Sequence, residues 1–381
     1  MPSRRPPAFS TCHPRLLSLA AALAVAGVSA TCIFADHHKE GETAGEATSE
    51  ATAVAGDSAW LEIEATAEGP GSGKHLVWIS AEEEYRTEES FPMLAKILAE
   101  QGFRSTILFA VNRENGTIDP DQLDNIPGLE KLAEADLAIL ALRWRHLPDE
   151  QMRHFVDFTA SGTPLISIRV NTHPFNYPDD STSPYAKYDW ELGETGGGWG
   201  REVVGETWVR HYGKHAVEGT RAVPAYGKSS HPLLRGVSDV WGPSDVYGLE
   251  LDVAEDIDPV LMGLITESLD PDSPVRADRE ATPVAWTRTY DDGDGTPTNM
   301  VVTTMGSGDD FLNPGLRRFV CNAVYHLLEM DVPEEMNVTP VDPYEARKFG
   351  FGGHKVGVKP SEAGTSAQAE AEPKKPDFAR Y

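Results

Sequence analysis

Three short, continuous apolar runs constrain the fold of this chain more than any other feature of the sequence. They are His75–Ser80 (HLVWIS), Asp136–Leu142 (DLAILAL) and Pro164–Ile168. Runs of this length without polar alternation are typical of strands that are covered on both faces. Helical spacing of apolar residues in Glu88–Gln101 and after Pro148 places helices between these strands. The pattern predicts an α/β fold, namely a doubly wound, mostly parallel sheet with helices on both faces.

The second half of the chain contains more strands than the first. Strand-like runs occur at Val246–Leu251, Pro259–Ile265, Val284–Tyr290 and Met300–Met305. A final helix is predicted over Asn313–Glu329, where apolar residues recur at helical spacing. The sheet is therefore expected to carry extra strands beyond the doubly wound unit.

Both ends of the chain differ in composition from its middle. Residues 1–35 combine arginines with the apolar run Leu16–Ala30, which is the order of a secretory signal peptide. We therefore expect a periplasmic or secreted protein, and a lipid anchor at Cys32 is the less expected alternative because the preceding residues form a poor lipobox. Residues 36–73 are of low complexity and are predicted to be a linker.

The globular part is predicted to occupy residues 74–335. Residues 336–360 are expected to form a C-terminal extension that packs on this domain, and residues 361–381 are expected to be disordered because they lack apolar periodicity. No stable membrane span is expected in the mature chain, since no long apolar run follows the signal peptide.

Composition and missing motifs exclude several functions. The net charge of −27 opposes binding to nucleic acid and to anionic lipid surfaces. No G-x-G-x-x-G motif follows a strand, so no nucleotide cofactor is expected, and no G-x-S-x-G nucleophile motif occurs. Cys321 lies in the predicted final helix among apolar residues, where it is expected to be a core residue.

Polar residues follow several of the predicted strands at the point where each strand ends. Glu84 and Tyr85 follow the first strand, Arg143 follows the DLAILAL strand, and Arg169 and His173 follow the next one. Ligands of open parallel sheets bind beyond the carboxyl ends of the strands. The sequence therefore predicts a polar pocket at this edge, although any one of these residues alone is typical of a solvated loop.

The segment from Gly196 to His215 (GGGWGREVVGETWVRHYGKH) is unusually rich in groups that carry chemistry. It is predicted to form a loop followed by a helix over Arg201–Arg210, in which Glu206 lies on a solvated or functional face. His211 and His215 are four residues apart, a spacing that can hold a metal ion, but no third ligand is evident from the sequence. No metal is therefore expected.

Several motifs together resemble the ThuA-like (trehalose-utilisation) family, in the exported form found in planctomycete-type bacteria. The resemblance runs from about His75 to Pro360 and rests on seven segments: EEYRTEESFPMLAKILA, NIPGLE, LPDEQMRHFVDF, GWGREVVGETWVRHYGKH, HPLLRGVSDVWGPSDVYG, PVAWTRTY and FGFGGHKVGVKPS. It implies a flavodoxin-like fold similar to that of class I glutamine amidotransferases. The corresponding turn, Arg169–His173, contains no cysteine, so amidotransferase chemistry is not expected.

The resemblance implies a small carbohydrate as the ligand. We expect general acid–base chemistry with His173 as base or acid, Glu206 as its carboxylate counterpart and Arg169 as an oxyanion or substrate clamp. The expected substrate-binding residues are Glu84, Tyr85, Arg143, Trp199, Arg201, His211, Asp245 and Tyr247. Two alternatives remain open: a non-catalytic carbohydrate-binding or scaffold protein, and a metal-dependent hydrolase that uses His211, His215 and a carboxylate.

Overall fold

The computed structural model describes residues 58–191, 198–250, 256–293 and 295–375. The predicted signal peptide and most of the predicted linker lie outside these residues. The described part begins with a short strand, Leu61–Ile63, that lies within the segment predicted to be linker.

The strands are β1 (Leu61–Ile63), β2 (His75–Ala81), β3 (Arg104–Phe109), β4 (Leu137–Leu142), β5 (Leu165–Ile168), β6 (Trp208–His211), β7 (Thr220–Pro224), β8 (Val240–Gly242), β9 (Tyr247–Leu249), β10 (Asp258–Ile265), β11 (Thr282–Tyr290) and β12 (Thr298–Thr303). The α-helices are α1 (Thr87–Ala99), α2 (Asp149–Thr159), α3 (Pro314–Leu327) and α4 (Ser366–Glu370). The three apolar runs that dominate the sequence are β2, β4 and β5, and their strand residues are all buried.

A ten-stranded sheet forms the centre of the molecule, in the order β1-β3-β2-β4-β5-β12-β11-β10-β7-β8. Its pairs from β3 through β12 are parallel, whereas β1 and the strands from β11 to β8 pair antiparallel. The predicted α/β architecture and the extra strands of the second half are therefore both present. Strands β6 and β9 form a separate two-stranded antiparallel sheet.

Alternate residues of β2 belong to different hydrophobic clusters. Leu76 and Trp78 lie in a cluster with the buried side chains of α1 and α3, and Val77 and Ile79 lie in a cluster with those of α2. Side chains of a strand alternate between the two faces of its sheet, so β2 is buried on both. This double burial accounts for the continuous apolar run in the sequence.

The prediction of a helix over Arg201–Arg210 is wrong. A single π-helical turn, Gly200–Val204, ends at Gly205, whose φ of 87° lies in the left-handed region, and the chain then enters β6. Glycine adopts this conformation without a steric penalty, so it terminates the helical segment here. As a result, Glu206 lies between the turn and the strand, and the helical spacing proposed for it does not exist.

The C-terminal residues are more ordered than the sequence predicts. Phe349, Phe351 and Val358 of the extension are buried, in keeping with an extension that lies on the domain. Disorder was expected from residue 361, but α4 lies beyond this point and Gln368 donates a hydrogen bond to the carbonyl of Glu88. The amide side chain supplies an anchor that apolar periodicity does not reveal. Residues 376–381 lie outside the described part.

Across the described residues, no helix has the length and apolar character needed to cross a membrane.

Candidate functional site

The polar residues that follow β2 and β4 meet in a buried ion-pair network. Glu83 accepts hydrogen bonds from Arg143 and from Arg145, whose Nη2 lies 2.7 Å from Glu83 Oε2. Strands β3 and β4 flank β2 on opposite sides, so the chain changes its direction of winding between β2 and β4. Such a switch point is where open α/β sheets bind ligands. The network therefore defines the edge of the sheet at which the candidate site lies.

Arg169, which follows β5, is enclosed and does not face solvent. Its Nη2 lies 3.1 Å from Oδ1 of Asp245, and both side chains have 0% exposure. The guanidinium lies over the rings of Tyr85 and Tyr247, 4.4 and 4.1 Å from their centroids. Further hydrogen bonds go to the carbonyls of Asp245 and Thr304. Arg169 therefore holds Asp245 in place, and the predicted role as a substrate clamp does not fit these contacts.

Arg86, Trp144 and Arg169, which follow β2, β4 and β5, have positive φ although they are not glycine. The φ angles are 64° at Arg86, 51° at Trp144 and 42° at Arg169. Each of these residues lies shortly after a parallel strand, and L-residues adopt this region only at an energetic cost. The surrounding structure therefore fixes the backbone at the three places where the chain leaves the sheet.

Asp245 is shared between two histidines. Its Oδ2 lies 2.8 Å from His211 Nδ1 and its Oδ1 lies 3.0 Å from His215 Nδ1. The second nitrogen of His215, Nε2, lies 3.1 Å from Glu84 Oε1. Gly213 lies between the histidines in sequence, and a Cβ at this position would lie only 3.1 Å from Asp245 Cβ. Glycine therefore lets the backbone approach closely enough for both rings to contact one carboxylate.

The Asp245 cluster is defined as Glu84, His211, His215 and Asp245, and within it Glu84, His215 and Asp245 stabilise one another's charges. Burial alone would raise the pKa of Asp245, but hydrogen bonds from His211 and His215 hold this pKa far below its usual range. Burial opposes the charged form of His215, but hydrogen bonds with Asp245 and Glu84 raise its pKa to about 9. Burial acts against the ionised form of Glu84 as well, and His215 with Arg143 lowers its pKa. Asp245 and Glu84 are therefore carboxylates at neutral pH.

His211 is the member of the cluster that reaches solvent. Its side chain is 37% exposed, whereas the Asp245 carboxylate is 0% exposed. Within the described part of the chain, its only hydrogen bond is made through Nδ1. Strand β6 carries His211 opposite Tyr247 of β9, and this pairing sets the position of the ring beside the cluster.

The imidazole ring of His173 lies among four aromatic side chains. Its centroid is 6.0 Å from that of Trp144, 6.3 Å from Trp190, 5.4 Å from Trp208 and 6.1 Å from Tyr247. Burial, together with the positive charges of arginines, holds the pKa of His173 well below its usual value. The ring is therefore neutral at physiological pH.

Glu206 and Arg201 lie in a different environment from His173. Arg201 Nε lies 2.7 Å from Glu250 Oε2, and Glu206 Oε2 accepts a hydrogen bond from the backbone nitrogen of Glu250. Burial and the neighbouring Glu250 carboxylate raise the pKa of Glu206 to about 7, against opposing hydrogen bonds from backbone nitrogens. No hydrogen bond or ion pair joins Glu206 to His173 among the residues that the structure describes. The predicted pairing of His173 with Glu206 is thus not present as a direct interaction.

Trp199 also lies outside the candidate site. It is 1% exposed and packs against Phe155 and Phe175, with ring centroids 5.4 and 6.5 Å apart. It is therefore a core residue, and the predicted role in substrate binding does not fit these contacts. The remaining residues predicted to bind substrate lie at or beside the Asp245 cluster; they are Glu84, Tyr85, Arg143, His211, Asp245 and Tyr247.

Sequence reasoning missed a contribution from the C-terminal extension. The strap, defined as residues 349–353 (FGFGG), lies against the cluster, with Phe349 5.1 Å from His215 and Phe351 4.7 Å from the Arg143 guanidinium. Arg86 donates hydrogen bonds to the carbonyls of Gly350 and Gly352. In the sequence, the segment FGFGGHKVGVKPS served only as part of the family resemblance. Its repeated aromatic–glycine pattern was the one signal that could have marked these residues as part of the site.

Among the residues that the structure describes, two groups of side chains have the donor atoms to hold a metal ion. One consists of His211, His215 and Asp245, and the other of Asp119, Asp121 and His354; in each, the donor atoms lie within 4.8 Å of one another. In the second group Lys374 contacts Asp121, so an ammonium group already neutralises part of the charge. Only the first group lies at the sheet edge described above.

No protein-family model matches this chain, and no curated protein matches it. Among solved structures, the chain aligns with a crystal structure from Parabacteroides merdae that is described as ThuA-like. The two sequences are 10% identical, the alignment covers 73% of this chain and 97% of that one, and the TM-score is 0.43.

Proposed function

We propose that this chain is an enzyme that acts on a sugar or sugar derivative by general acid–base chemistry, without a cysteine nucleophile. The observation that carries the proposal is the sharing of one buried carboxylate, Asp245, between His211 and His215 while His211 reaches solvent. A carboxylate that orients an imidazole is a recurrent arrangement in acid–base catalysis. We therefore propose the Asp245 cluster, instead of His173 and Glu206, as the reacting centre.

The hydrogen-bond pattern assigns the proton positions of His211. Asp245 is a carboxylate and can only accept, so the Nδ1 of His211 carries the proton and donates it. The acceptor position of the ring is then Nε2, which makes no hydrogen bond within the described residues. This nitrogen can take a proton from a substrate group, and the resulting imidazolium is stabilised by Asp245.

The proposed ligand class rests on the aromatic rings and on the ThuA-like resemblance. Trp144, Trp190 and Trp208 are half-buried. The ring centroid of Trp190 lies 5.8 Å from that of Trp144 and 5.8 Å from that of Trp208. Partly exposed aromatic faces offer apolar surface to the C–H faces of sugar rings, and nearby charged groups can bind hydroxyls. The net charge of −27 further disfavours a polyanionic ligand such as nucleic acid.

A thiol-dependent mechanism is not supported. Cys321 is fully buried in α3, and burial raises the pKa of its thiol to about 12. A nucleophilic cysteine needs thiolate character and access to the substrate. Neither condition is met by this residue.

The finer fold assignment, a flavodoxin-like domain similar to class I glutamine amidotransferases, is also part of the proposal. The parallel strands lie in the order β3-β2-β4-β5-β12, which numbers 2-1-3-4-5 along the chain. This is the flavodoxin order, with its ligand site at the switch between the first and third strands. The Asp245 cluster lies beside that position. We also propose export through residues 1–35, which N-terminal sequencing of the mature protein would test.

The test is turnover of trehalose, its oxidised derivatives and other glycosides by wild type, His211→Gln and His173→Gln. We expect His211→Gln to lower kcat/KM by at least about 100-fold, the lower range for loss of a general acid or base. His154→Gln, on α2, is the control and should retain full activity. Saturable sugar binding in calorimetry without any product would instead support a carbohydrate-binding protein, and full activity of His211→Gln would place the reacting centre elsewhere.

A further inference from the structure

We infer that His211, His215 and Asp245 form a binding site for a divalent transition-metal ion of the Zn²⁺ class. The inference rests on the proposed function for the location of the site only. Two imidazole nitrogens and one carboxylate oxygen lie within 4.8 Å of one another. This is the donor set of many catalytic zinc centres, in which three protein ligands leave a further position open.

The distances between the donor atoms fit a common ion. His211 Nδ1 lies 2.8 Å from Asp245 Oδ2, and His215 Nδ1 lies 3.0 Å from Asp245 Oδ1. Zn–N and Zn–O bonds of about 2.1 Å place neighbouring ligand atoms about 3.0–3.4 Å apart, so small movements of the rings would admit the ion. Hydrogen bonds have similar lengths, and the groups around the three donors distinguish a metal site from a hydrogen-bonded cluster.

The groups behind the donors are those that orient metal ligands. His215 presents Nδ1 to the shared centre, and its Nε2 lies 3.1 Å from Glu84 Oε1. Ligating histidines usually donate their other ring N–H to a carboxylate in this way. On the opposite side, Arg169 Nη2 lies 3.1 Å from Asp245 Oδ1 and fixes the carboxylate. Both outer partners are at least nine-tenths buried, so the ligands are held rigidly.

Exposure and donor type indicate which kind of ion fits. The His211 side chain is 37% exposed and that of His215 is 14% exposed, so the centre has one side open to solvent. Structural zinc sites are closed by four protein ligands, whereas catalytic sites keep an open position. Two imidazoles with a single carboxylate favour Zn²⁺, Mn²⁺, Co²⁺ or Fe²⁺ over Ca²⁺ and Mg²⁺, which prefer oxygen donors.

Ion binding would change the proton position on His211. With the ion on Nδ1, the ring carries its proton on Nε2 and becomes a hydrogen-bond donor toward the substrate. A proton acceptor is then supplied by a water molecule acidified by the ion. With or without the ion, the reaction would take place at the Asp245 cluster. A chelator would abolish activity only if the ion takes part.

The test uses the full mature chain after dialysis against EDTA, titrated with Zn²⁺ in a calorimeter and with Co²⁺ in a spectrophotometer. We expect one equivalent of each ion to bind, with visible Co²⁺ absorption bands. Glu84→Gln, which changes only the outer partner, should weaken Zn²⁺ binding about 10–100-fold. Asp245→Asn and His215→Gln should weaken it further. Circular dichroism of each variant identifies any that fails to fold. Because His211 is partly exposed, His211→Gln is the ligand variant expected to disturb folding least.

His354→Gln is the matched control, because it removes an imidazole from the Asp119, Asp121 and His354 group and leaves the Asp245 cluster intact. Its Zn²⁺ affinity should equal that of wild type. Binding below one equivalent in wild type, or equal affinities in wild type and folded His211→Gln, would overturn the inference. If wild type binds no metal ion but His211→Gln loses turnover, the metal site is overturned and the proposed function stands. If wild type binds the ion but turns over no sugar, the proposed function is overturned and the metal site stands.

Discussion

Arg169 and Asp245 form an ion pair from which water is excluded: Nη2 and Oδ1 are 3.1 Å apart and both side chains have 0% exposure. Asp245 in turn contacts both histidines of the cluster. Breaking a buried pair by removing one partner leaves an uncompensated charge, and the pair therefore links the stability of the fold to the geometry of the candidate site.

Replacement of Arg169 by Met should be strongly destabilising. We expect the free energy of unfolding to fall by about 3–5 kcal/mol, because the buried Asp245 carboxylate loses one of its cationic partners and the rings of Tyr85 and Tyr247 lose the guanidinium that lies over them. Urea unfolding followed by tryptophan fluorescence measures the change. Arg153→Met, at an exposed position of α2, should change the same quantity by less than about 0.5 kcal/mol. A loss under about 1 kcal/mol for Arg169→Met would contradict the interpretation.

Glu206→Gln should change how stability depends on pH. Burial and Glu250 raise the pKa of Glu206 from 4.5 to about 7 in the folded chain. Between these pH values the folded state binds a proton that the unfolded state has released, so stability falls as pH rises from about 4.5 to 7. The difference amounts to about 3 kcal/mol at most. Denaturant unfolding at several pH values should show that this part of the slope is missing in the variant.

The same variant tests the catalytic role that the sequence predicted for Glu206. Because no described contact joins it to the Asp245 cluster, Glu206→Gln should retain kcat within about threefold of wild type on any substrate found. A loss near 100-fold, the size typical of a general acid or base, would return Glu206 to the mechanism.

Cys321→Ala should leave turnover unchanged. The thiol is buried in α3 and its pKa is raised to about 12, so it is neither ionised nor accessible. Stability should fall by about 1–2 kcal/mol, because a small cavity replaces the sulfur. Labelling with a thiol reagent should proceed only in denaturant. Rapid modification of the native chain with loss of activity would show that the thiol is functional.

Phe349→Ala should affect stability and activity together. Its ring lies 5.1 Å from His215 and 5.6 Å from Tyr85, and it is 5% exposed. Loss of a buried phenyl group costs about 3–5 kcal/mol in well-packed cores, so a loss near the lower value is expected in this terminal segment. Phe349→Leu keeps apolar volume and should retain most of the stability and turnover. Turnover unchanged in Phe349→Ala would show that the strap does not support the site.

The sequence predicted the sheet well because its signal is local. Burial on both faces of β2 and β4 requires an apolar residue at every position, and such a run is visible in six or seven letters. The helix predicted over Arg201–Arg210 failed for a local reason as well, since the left-handed conformation of Gly205 outweighs the helical spacing around it.

The candidate site was harder to predict because it depends on contacts between distant residues. His215 and Asp245 are 30 positions apart, and nothing in either neighbourhood shows that one carboxylate contacts two imidazoles. From the sequence, His211 and Asp245 were predicted only to bind substrate, and the predicted catalytic residues were His173, Glu206 and Arg169. The structure does bring residues at the ends of β2, β4 and β5 close together, since the carboxyl ends of parallel strands meet at one edge of the sheet.

The strap is the last part of the candidate site to be synthesised. Residues 349–353 are tied to Arg86, more than 260 positions earlier, and the sheet strands between them are all synthesised first. The strands can therefore pair before the strap is in place, while His215 and Arg143 still lack their aromatic covers. The geometry of the cluster is complete only when this last segment has packed against it.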